Sequence, residues 1–595
     1  MTVEKILIQE SVNLLSDGFN NGDKKIVSTI YCPGVDYFYE DFEIERFGMV
    51  YSRLYEETNR CLNALAQCAP LKYRNVDLSN CFRHNLFLFT LSAEIMFQAF
   101  HSLIIKNPGA TFYIEHHEPN WLVPYLCQLL PIPNLSIDFS LVFEKCGERK
   151  SFFRFVPKVH FLKNLVWPSQ ICTRLSASSK TAIFADYSRS ADVLSRIPKN
   201  SRVYFTNAKE PKIFIYSLLR NFSFCQMCIS KKLKRYHEKT TEDYRAIPDF
   251  FWKSESFFVG FPHLRLVIKK AIEYQLDREI PLILHQIDQV NLFFDKCPFI
   301  RTVLLDEDMT SLKNAFCQVA QIRRKQCFVE CHGAMTAKHG YLPLTADYFF
   351  AWGNRQKKKL VRWGCASERI IISGCSKYSQ YVKKDDDVIR KRVSKQFHFD
   401  PSKKIVLLAP HPLEYSNRFF TAKLIRTQIQ PLLDYLLTQK VQLIIKLHPC
   451  EMDKGFYLQR LKQSMECKAV LIEKFDPLLL IKASNFLIVH DSTMAVDGFA
   501  LNRNVIFIPF LPESENLDQS IADFGPYTVF YQPNDMAEFV TTFEQLMADS
   551  SRRPAQAQWE AARRDCLNEG GQSSVDIIGS HLLREATNGR TESFR

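Results

Sequence analysis

Two pairs of residues in the second half of the chain could hold a phosphate group. The run LIIKLHP ends on His448 and Pro449, and Ser492 and Thr493 stand directly before the helical pattern MAVDGFAL. A histidine, a pair of hydroxyls and the N–H groups at a helix start can all donate hydrogen bonds to an anion. Each pair also has a simpler explanation, because a lone histidine is often a packing residue and Ser or Thr is a common helix N-cap.

Two charged residues close to these pairs could belong to the same site. Lys446 lies two residues before His448 and could add positive charge, as could Arg503. Asp497 follows Thr493 by about one helical turn and could therefore face the same cleft. We include Lys446, Asp497, Pro449 and Gly333 with His448, Ser492 and Thr493 in the predicted donor-binding set.

A second set of residues could activate a hydroxyl nucleophile. His332 follows the strand pattern QCFVE, which ends on Glu330, and Asp306 follows the strand pattern TVLL. His332 is the favoured base, because an ordinary histidine pKa of about 6.5 leaves a neutral ring at cytoplasmic pH. The pair His332 and Gly333 could instead be a simple turn with glycine at positive φ. Asp306 could instead cap the helical pattern MTSLKNAF.

These residues need a scaffold of parallel strands to bring them together. Short apolar runs alternate with helical patterns through most of the chain, which predicts an α/β fold. The runs from YFFAWG to NVIFIPF are evenly spaced and predict a doubly wound domain, and a similar series precedes them. We therefore predict two facing Rossmann-type domains with an elaborated N-terminal lobe. Ligands bind outside the carboxyl ends of such strands, where the candidate residues stand.

The predicted domains divide the chain into two large parts. An N-terminal lobe covers residues 1–335 and could split into two subdomains near 150–177, and a second domain covers 336–585. The final helical patterns either pack at the end of the second domain or cross back to the first. Residues 586–595 are predicted to form a disordered tail.

Composition limits the classes of partner. The formal net charge of +13 favours anionic partners such as nucleotides, phosphates or a lipid surface. A single basic stripe with interleaved aromatic residues is not evident, so we predict no nucleic-acid partner.

The most apolar stretch, residues 85–105, carries Glu94, Gln98 and His101, which indicates a core helix rather than a membrane span. The N-terminus MTVEKILIQESVNLL lacks the features of a signal peptide.

Metal binding has weak support in the sequence. The acidic triplets of residues 306–308 and 385–387 could bind a cation, but a chain with 64 acidic residues contains such triplets by chance. Cys225 and Cys228 form a CxxC pair without a second pair at zinc-finger spacing, and Cys327 and Cys331 form a looser pair. We predict reduced thiols, no metal and no cofactor.

The order of the motifs CHG, ADYFFAWG, IVLLAPHP, LIIKLHP and NFLIVHDST resembles the C-terminal half of GT-B glycosyltransferases of bacterial capsule and lipopolysaccharide synthesis. It also resembles CDP-glycerol glycerophosphotransferases of teichoic-acid synthesis, and both classes are similar in fold to UDP-N-acetylglucosamine 2-epimerases. The match covers roughly residues 303–510. By this resemblance, His448, Ser492 and Thr493 hold the donor phosphate. The chain departs from the pattern at Thr493, where a second serine is usual, and at Cys331, where glutamine or tryptophan is usual.

The resemblance implies a metal-independent glycosyltransferase. It would move a sugar from a nucleotide-sugar donor, CMP-linked donors included, onto a bacterial surface polysaccharide or lipopolysaccharide. Its partners would be the donor, a glycan or lipid-linked glycan acceptor, and an anionic membrane surface. It would be cytoplasmic and peripheral on the inner face of the cytoplasmic membrane. Three alternatives stay open: transfer of a polyol phosphate from a CDP-polyol, epimerisation of a UDP-sugar, and a non-catalytic GT-B scaffold that binds glycans.

Overall fold

The computed structural model describes most of the second half of the chain and selected parts of the first half. Its long stretches are residues 47–68, 71–108, 257–274, 279–335, 338–412, 422–449, 453–462, 467–490, 492–509, 524–569 and 573–588, with the single residues 276 and 451. In the other parts it describes 5–9, 24–28, 36–37, 111–114, 135–136, 182–185, 193, 202–205 and 223–224. The predicted CxxC pair, Cys225 and Cys228, lies outside the described residues.

The first sheet is parallel and belongs to the N-terminal part of the chain. Its strands are β1 (Lys5–Gln9), β2 (Lys24–Ser28), β3 (Asp36–Tyr37), β6 (Thr111–Ile114) and β7 (Leu135–Ser136). They lie in the order β3-β2-β1-β6-β7, and a small hairpin of β4 (Lys72–Tyr73) and β5 (Val76–Asp77) is separate from them. A central first strand with connections that run outward in both directions is the Rossmann-type order. The N-terminal elaboration therefore contains a parallel sheet of its own.

The second sheet has seven parallel strands in the order β10-β9-β8-β11-β12-β13-β14. These strands are β8 (Ala182–Ala185), β9 (Arg202–Phe205), β10 (Ser223–Phe224), β11 (Ile300–Leu305), β12 (Gln326–Glu330), β13 (Tyr348–Ala351) and β14 (Ile370–Ile372). The strand order reverses between β8 and β11, and such switch points are where doubly wound sheets bind ligands.

The third sheet has five parallel strands in the order β17-β16-β15-β18-β19. These strands are β15 (Ile405–Ala409), β16 (Gln442–Lys446), β17 (Lys468–Ile472), β18 (Phe486–His490) and β19 (Asn504–Ile508). Every residue of β15, β16 and β18 is buried. Continuous burial of apolar runs is typical of a parallel sheet that is covered by helices on both faces.

Helices connect these strands and cover the sheets. In the described part of the chain they are α1 (Phe47–Cys68), α2 (Leu78–Lys106), α3 (Leu264–Tyr274), α4 (Ile280–Lys296), α5 (Ser311–Ile322), α6 (Asn354–Arg362), α7 (Ser379–Val382), α8 (Asp386–Phe397), α9 (Ala422–Thr438), α10 (Lys454–Leu461), α11 (Pro477–Ala483), α12 (Met494–Ala500), α13 (Met536–Ala548), α14 (Gln556–Leu567) and α15 (Ser574–Asn588). Several begin at an aspartate whose carboxylate accepts first-turn N–H groups, namely Asp385, Asp453, Asp476 and Asp535.

The sheets divide the chain differently from the predicted domains. The prediction places β13 and β14 in the second domain, but β13 pairs with β12 in the second sheet, and β14 pairs with β13. The division between residues 335 and 336 therefore falls within one sheet, and the third sheet begins only at β15. Even spacing of apolar runs does not show which sheet a run joins, because strand pairing is a long-range contact. The first and second sheets part between β7 and β8, a range that contains the predicted split near 150–177.

The last two helices connect the lobes. In α14, the Trp559 ring lies 4.8 Å from the Phe499 ring of the third-sheet lobe. In α15, Val575, Ile578 and Leu582 pack against the second sheet. The predicted alternative in which the final helices cross back is therefore the one that the structure shows. Helix α15 includes residues 586–588, which were predicted as disordered tail, and residues 589–595 lie outside the described residues.

A layer of helices joins the N-terminal part to the second sheet. Helix α2 packs against α1, α3 and α5. It is long and apolar enough to cross a membrane, with a mean hydropathy of 1.5 over its most apolar window, yet 47% of that window is buried within the protein. Its buried Glu94 accepts a hydrogen bond from Gln98 and lies 2.5 Å from Nε2 of His263. These contacts agree with the predicted role of this stretch as a core helix.

Candidate active site

Histidines stand at the carboxyl ends of three neighbouring strands in the third sheet. His411 follows β15, His448 follows β16, and His490 is the last residue of β18. Because β16, β15 and β18 are adjacent, the three histidines line one edge of the sheet at its switch point. The ring centres of His411 and His490 are 6.3 Å apart. Of these three, only His448 was a predicted site residue, although His490 ends an apolar strand in the same way.

His490 is fully buried and electrically neutral. Its Nε2 lies 2.9 Å from the amide oxygen of Gln428, so this nitrogen carries the hydrogen and donates it. Burial, together with repulsion from His411 and Arg426, lowers the pKa of His490 to about 3. A histidine in this state supports the edge of the sheet by hydrogen bonding and cannot supply a positive charge near neutral pH.

His448 is exposed on a loop that buried charges hold in place. The main-chain N–H of Glu451 donates to the carbonyl of His448 at 3.1 Å. The Glu451 carboxylate is buried and lies 3.3 Å from the guanidinium of Arg426, which also lies 3.3 Å from Asp453. Pro449 is exposed next to His448. The buried charges therefore hold the backbone of this loop in place. The His448 imidazole is accessible, as ligand binding requires.

Ser492 and Thr493 precede the short helix α12. Thr493 occupies the N-cap position, but its hydroxyl makes no capping hydrogen bond and its side chain is exposed. The Ser492 hydroxyl accepts only a long hydrogen bond of 3.4 Å from the N–H of Met494. The simple capping explanation is therefore weak for Thr493, and its hydroxyl is accessible to a ligand.

Lys446 and Arg503 have structural contacts that the sequence did not reveal. The Lys446 ammonium donates to the carbonyls of Leu447 and Glu473 at 2.6 and 3.0 Å, and burial lowers its pKa. The Arg503 guanidinium donates to carbonyls and forms an ion pair with Asp386. A phosphate-binding role for Lys446 or Arg503 would require these contacts to break.

Asp497 connects the two lobes instead of projecting freely into a cleft. Its carboxylate accepts hydrogen bonds from Lys377 at 2.6 Å and from the Tyr378 hydroxyl at 2.7 Å. Lys377 and Tyr378 follow β14, the last strand of the second sheet, whereas Asp497 is in α12 next to the third sheet. These buried contacts hold the chain between the sheets against the helix that follows Thr493.

The second sheet brings His332 and Asp306 together at its carboxyl edge. Nδ1 of His332, just after β12, lies 3.1 Å from the main-chain oxygen of Asp306, just after β11. The ring stacks on Tyr341 with centres 5.1 Å apart and an angle of 9° between the planes. The Asp306 carboxylate pairs with Lys313. Asp306 does not cap α5, because Thr310 occupies the N-cap position and Glu307 accepts its N–H.

Glu330 and Gly333 flank His332 in different environments. Glu330 is 2% exposed and accepts a hydrogen bond from the Ser376 hydroxyl, so it lies below the surface that an acceptor would reach. Gly333 does not have a positive φ, which removes the explanation of this pair as a left-handed turn. Among the described residues beyond its chain neighbours, the heavy atom nearest to a Cβ placed on Gly333 is the Tyr341 hydroxyl oxygen at 4.0 Å.

The acidic triplets are divided among separate partners. Asp308 turns inward and accepts the N–H groups of Thr345 and Ala346 at 2.6 and 2.8 Å. Burial raises the pKa of Asp308 to about 7. In the other triplet, the Asp385 carboxylate caps α8 and Asp386 pairs with two cations. Within the described residues, no group of three or more His, Cys, Asp or Glu is arranged to hold a metal ion. The ten cysteines whose side chains the structure describes are free thiols, Cys327 and Cys331 included.

A cavity lies between the carboxyl edges of the second and third sheets. The first lobe contributes Ala334 and Met335, directly after Gly333, and residues around the start of α6. The other lobe contributes Val496, three residues after Thr493, with Phe524 and Leu567. The chain segments that carry the candidate base and the candidate phosphate-binding hydroxyls therefore border one cleft.

The sheets and this cleft define the class of the fold. The chain is an α/β protein of GT-B type, with two doubly wound Rossmann-type lobes that face each other, and the fold prediction is confirmed. No protein-family model matches the sequence, and no curated protein matches it.

Several solved structures are similar to this chain. UDP-GlcNAc 2-epimerase from Neisseria meningitidis, bound to UDP-GlcNAc, is 14% identical over 68% of this chain and 99% of that one, with a TM-score of 0.42. A variant of the wall teichoic acid polymerase TagF is 10% identical over 69% of this chain and 90% of that one, with a TM-score of 0.39. MurG from Acinetobacter baumannii is 10% identical over 68% of this chain and 99% of that one, with a TM-score of 0.37.

Proposed function

We propose that this protein is a glycosyltransferase that moves a sugar from a nucleotide-sugar donor onto a bacterial surface polysaccharide or lipopolysaccharide. One observation carries the proposal. Ala334 and Met335, which follow His332 and Gly333, line the same cavity as Val496, which follows Ser492 and Thr493 in the other lobe. A base on one side and phosphate-binding groups on the other are what group transfer between two bound substrates requires.

In this mechanism the second lobe binds the donor. The exposed His448 imidazole and the Ser492 and Thr493 hydroxyls donate hydrogen bonds to its phosphate. The first lobe binds the acceptor hydroxyl beside His332. The acceptor oxygen forms a bond to the anomeric carbon, the bond from that carbon to the phosphate oxygen breaks, and the phosphate leaves with the electron pair. His332 takes the proton that the acceptor hydroxyl loses.

The tautomer of His332 suits this role. A carbonyl oxygen can only accept a hydrogen bond, so the contact with the Asp306 carbonyl places the hydrogen on Nδ1 of the neutral ring. The lone pair is then on Nε2, which is the nitrogen that accepts the proton. We propose that no divalent metal takes part, because Glu307 and Asp308 already accept hydrogen bonds and Asp306 already pairs with Lys313.

The experiment combines a donor panel with one substitution. Wild-type protein is mixed with CMP-, UDP- and CDP-linked donors, and binding is followed by the shift in melting temperature. His448→Ala should lose the shift with the fold intact, whereas His101→Ala, an exposed histidine on α2, should keep it. Loss of charge-assisted hydrogen bonds worth about 1.5–3 kcal/mol corresponds to roughly ten- to a hundred-fold in affinity.

The products separate the candidate functions. A free nucleotide together with a glycosylated acceptor supports the proposal. Free CMP with a glycerophosphate product would show polyol-phosphate transfer, and an isomerised UDP-sugar would show epimerisation. A protein that consumes no donor would be a scaffold. Unchanged nucleotide affinity in His448→Ala would refute the placement of the donor phosphate.

A further inference from the structure

The cavity between the lobes contains positive charge that the proposed reaction does not use. It is lined by Arg355 and Lys359 of α6, and the other described residues of its lining are neutral or apolar. Arg355 and Lys359 are four residues apart in α6 and therefore lie on one face of the helix. Both residues belong to the basic run RQKKK of residues 355–359, and the structure puts these two members at the cleft.

The size of the cavity fits one small group. Its volume is about 50 Å³. A single water needs roughly 10–15 Å³ on the same measure, so the cavity has room for a few waters or for one oxyanion such as a phosphate or a carboxylate. Lys359 is 4% exposed, and its ammonium lies 5.3 Å from the centre of the Trp363 ring. A cation this deeply placed interacts strongly with an anion that enters the cavity.

Arg355 reaches across the cleft to the other lobe. A Cβ placed on Gly525 would lie 2.7 Å from Cζ of Arg355, so the absent side chain of Gly525 makes room for the guanidinium. Gly525 also has φ of +64°, a conformation that glycine adopts without strain. Asp565 and Arg355 both influence the pKa of Tyr527, and Asp565 is not among the described residues that line the cavity.

We infer that Arg355 and Lys359 form an anion subsite that takes an acidic group of the acceptor, a phosphate or a carboxylate. The inference rests on the proposed function, which places the donor phosphate on the second lobe. The two cations belong to α6 of the first lobe, on the side of the cleft where Ala334 and Met335 follow His332 and Gly333. An anion bound there would hold the acceptor on the side of the cleft that carries its base.

The test uses two small anions on the full-length protein. Sodium phosphate and sodium acetate are titrated at constant ionic strength by isothermal calorimetry. The proteins are His448→Ala, which removes the donor contact, and His448→Ala combined with either Arg355→Gln or Lys358→Gln. Lys358 is exposed on the same helix and serves as the matched control. If Arg355→Gln fails to fold, Lys359→Gln replaces it.

We expect His448→Ala to bind at least one anion and the Arg355→Gln combination to bind it at least tenfold more weakly. The Lys358→Gln combination should bind like His448→Ala alone. Preference for phosphate or for acetate identifies the class of acidic group. Equal affinity with and without Arg355, or no anion binding once His448 is removed, overturns the subsite. The titration contains no nucleotide sugar, so failure of the subsite is distinguishable from failure of the donor test.

Discussion

Nδ1 of His332 lies 3.1 Å from the main-chain oxygen of Asp306, and this contact joins the ends of two neighbouring strands. It positions the ring as well as selecting its tautomer, because the same ring stacks on Tyr341. The Tyr341 hydroxyl in turn donates toward the carbonyls of Gly333 and Ala334 at 3.3 and 3.2 Å. The candidate base is therefore fixed from two sides, by the Asp306 carbonyl and by the Tyr341 ring.

Replacement of the base should slow turnover without weakening donor binding. We expect His332→Ala to lower kcat by roughly 10²–10⁴ with little change in donor affinity, because the proton transfer occurs only in the chemical step. Steady-state kinetics and a donor titration measure the two effects. His263→Ala is not a suitable control, since His263 contacts the buried Glu94, so the exposed His101→Ala is used instead. Near-normal turnover in His332→Ala would mean that another residue is the base. Asp306 would then be the first candidate, and Glu330, which is buried, the second.

The exposed hydroxyl of Thr493 should contribute to donor affinity. Thr493→Val keeps the shape of the side chain and removes the hydrogen bond to the phosphate. We expect donor affinity to fall by roughly tenfold or more, since a hydrogen bond to a charged group contributes about 1.5–3 kcal/mol. Calorimetry with the donor measures the change. Thr541→Val, at an exposed position on α13, should bind the donor like wild type. If both variants bind alike, Thr493 does not contact the donor.

Chelation should leave the reaction intact. Phosphate charge can be neutralised by the hydrogen-bond donors of the second lobe, and the acidic residues of the first triplet are engaged elsewhere. We expect the same initial rate before and after treatment with EDTA and gel filtration. Activity that is lost with EDTA and restored by Mg²⁺ or Mn²⁺ would return residues 306–308 to consideration as a metal site.

Stability should fall in mild acid because of His490. Burial, with repulsion from His411 and Arg426, lowers its pKa to about 3, whereas an ordinary histidine has a pKa of about 6.5. Between these values the unfolded chain binds a proton at His490 that the folded chain does not, so the free energy of unfolding falls as pH falls. The loss amounts to about 2 kcal/mol at pH 5.

Urea unfolding of wild type and His490→Gln at pH 7 and pH 5 measures this loss. We expect His490→Gln to lose less stability on acidification than wild type does. Burial also lowers the pKa of His339 to about 3 and raises that of Asp308 to about 7, but both groups are present in the two proteins and cancel in the difference. Equal losses in the two proteins would contradict the assignment to His490.

Membrane attachment should depend on anionic lipid and on salt. The net charge of +13 should attract the protein to vesicles that contain phosphatidylserine or phosphatidylglycerol at low ionic strength. Attraction of this kind is screened within about 8 Å at physiological salt, so co-sedimentation should weaken as salt is added. Vesicles of phosphatidylcholine alone are the control and should not bind. Protein that ignores anionic vesicles at low salt would argue against a peripheral location.

Local patterns predicted the strands and the positions of the site histidines. The runs IVLLA, QLIIK and FLIVH are continuously apolar, and the structure buries all of their residues in parallel strands. A strand of this kind ends where its apolar run ends, so His332 and His448 could be placed at carboxyl edges without knowledge of the tertiary structure. The local patterns did not show which strands join the same sheet. The prediction placed β13 and β14 in the second domain, but they belong to the second sheet.

The sequence by itself determined the α/β class, the strand ends and the residue types that stand at them, because these depend on neighbours in the chain. The tertiary structure alone decided which of those side chains reach a cleft. Lys446 donates hydrogen bonds to two carbonyls, and Asp497 accepts hydrogen bonds from Lys377 and Tyr378. Glu330 is buried and accepts a hydrogen bond from the Ser376 hydroxyl. Those partners lie in other strands or in the other lobe. A polar group that is buried must find such a partner, and a contact between distant segments leaves no periodic signal in the sequence.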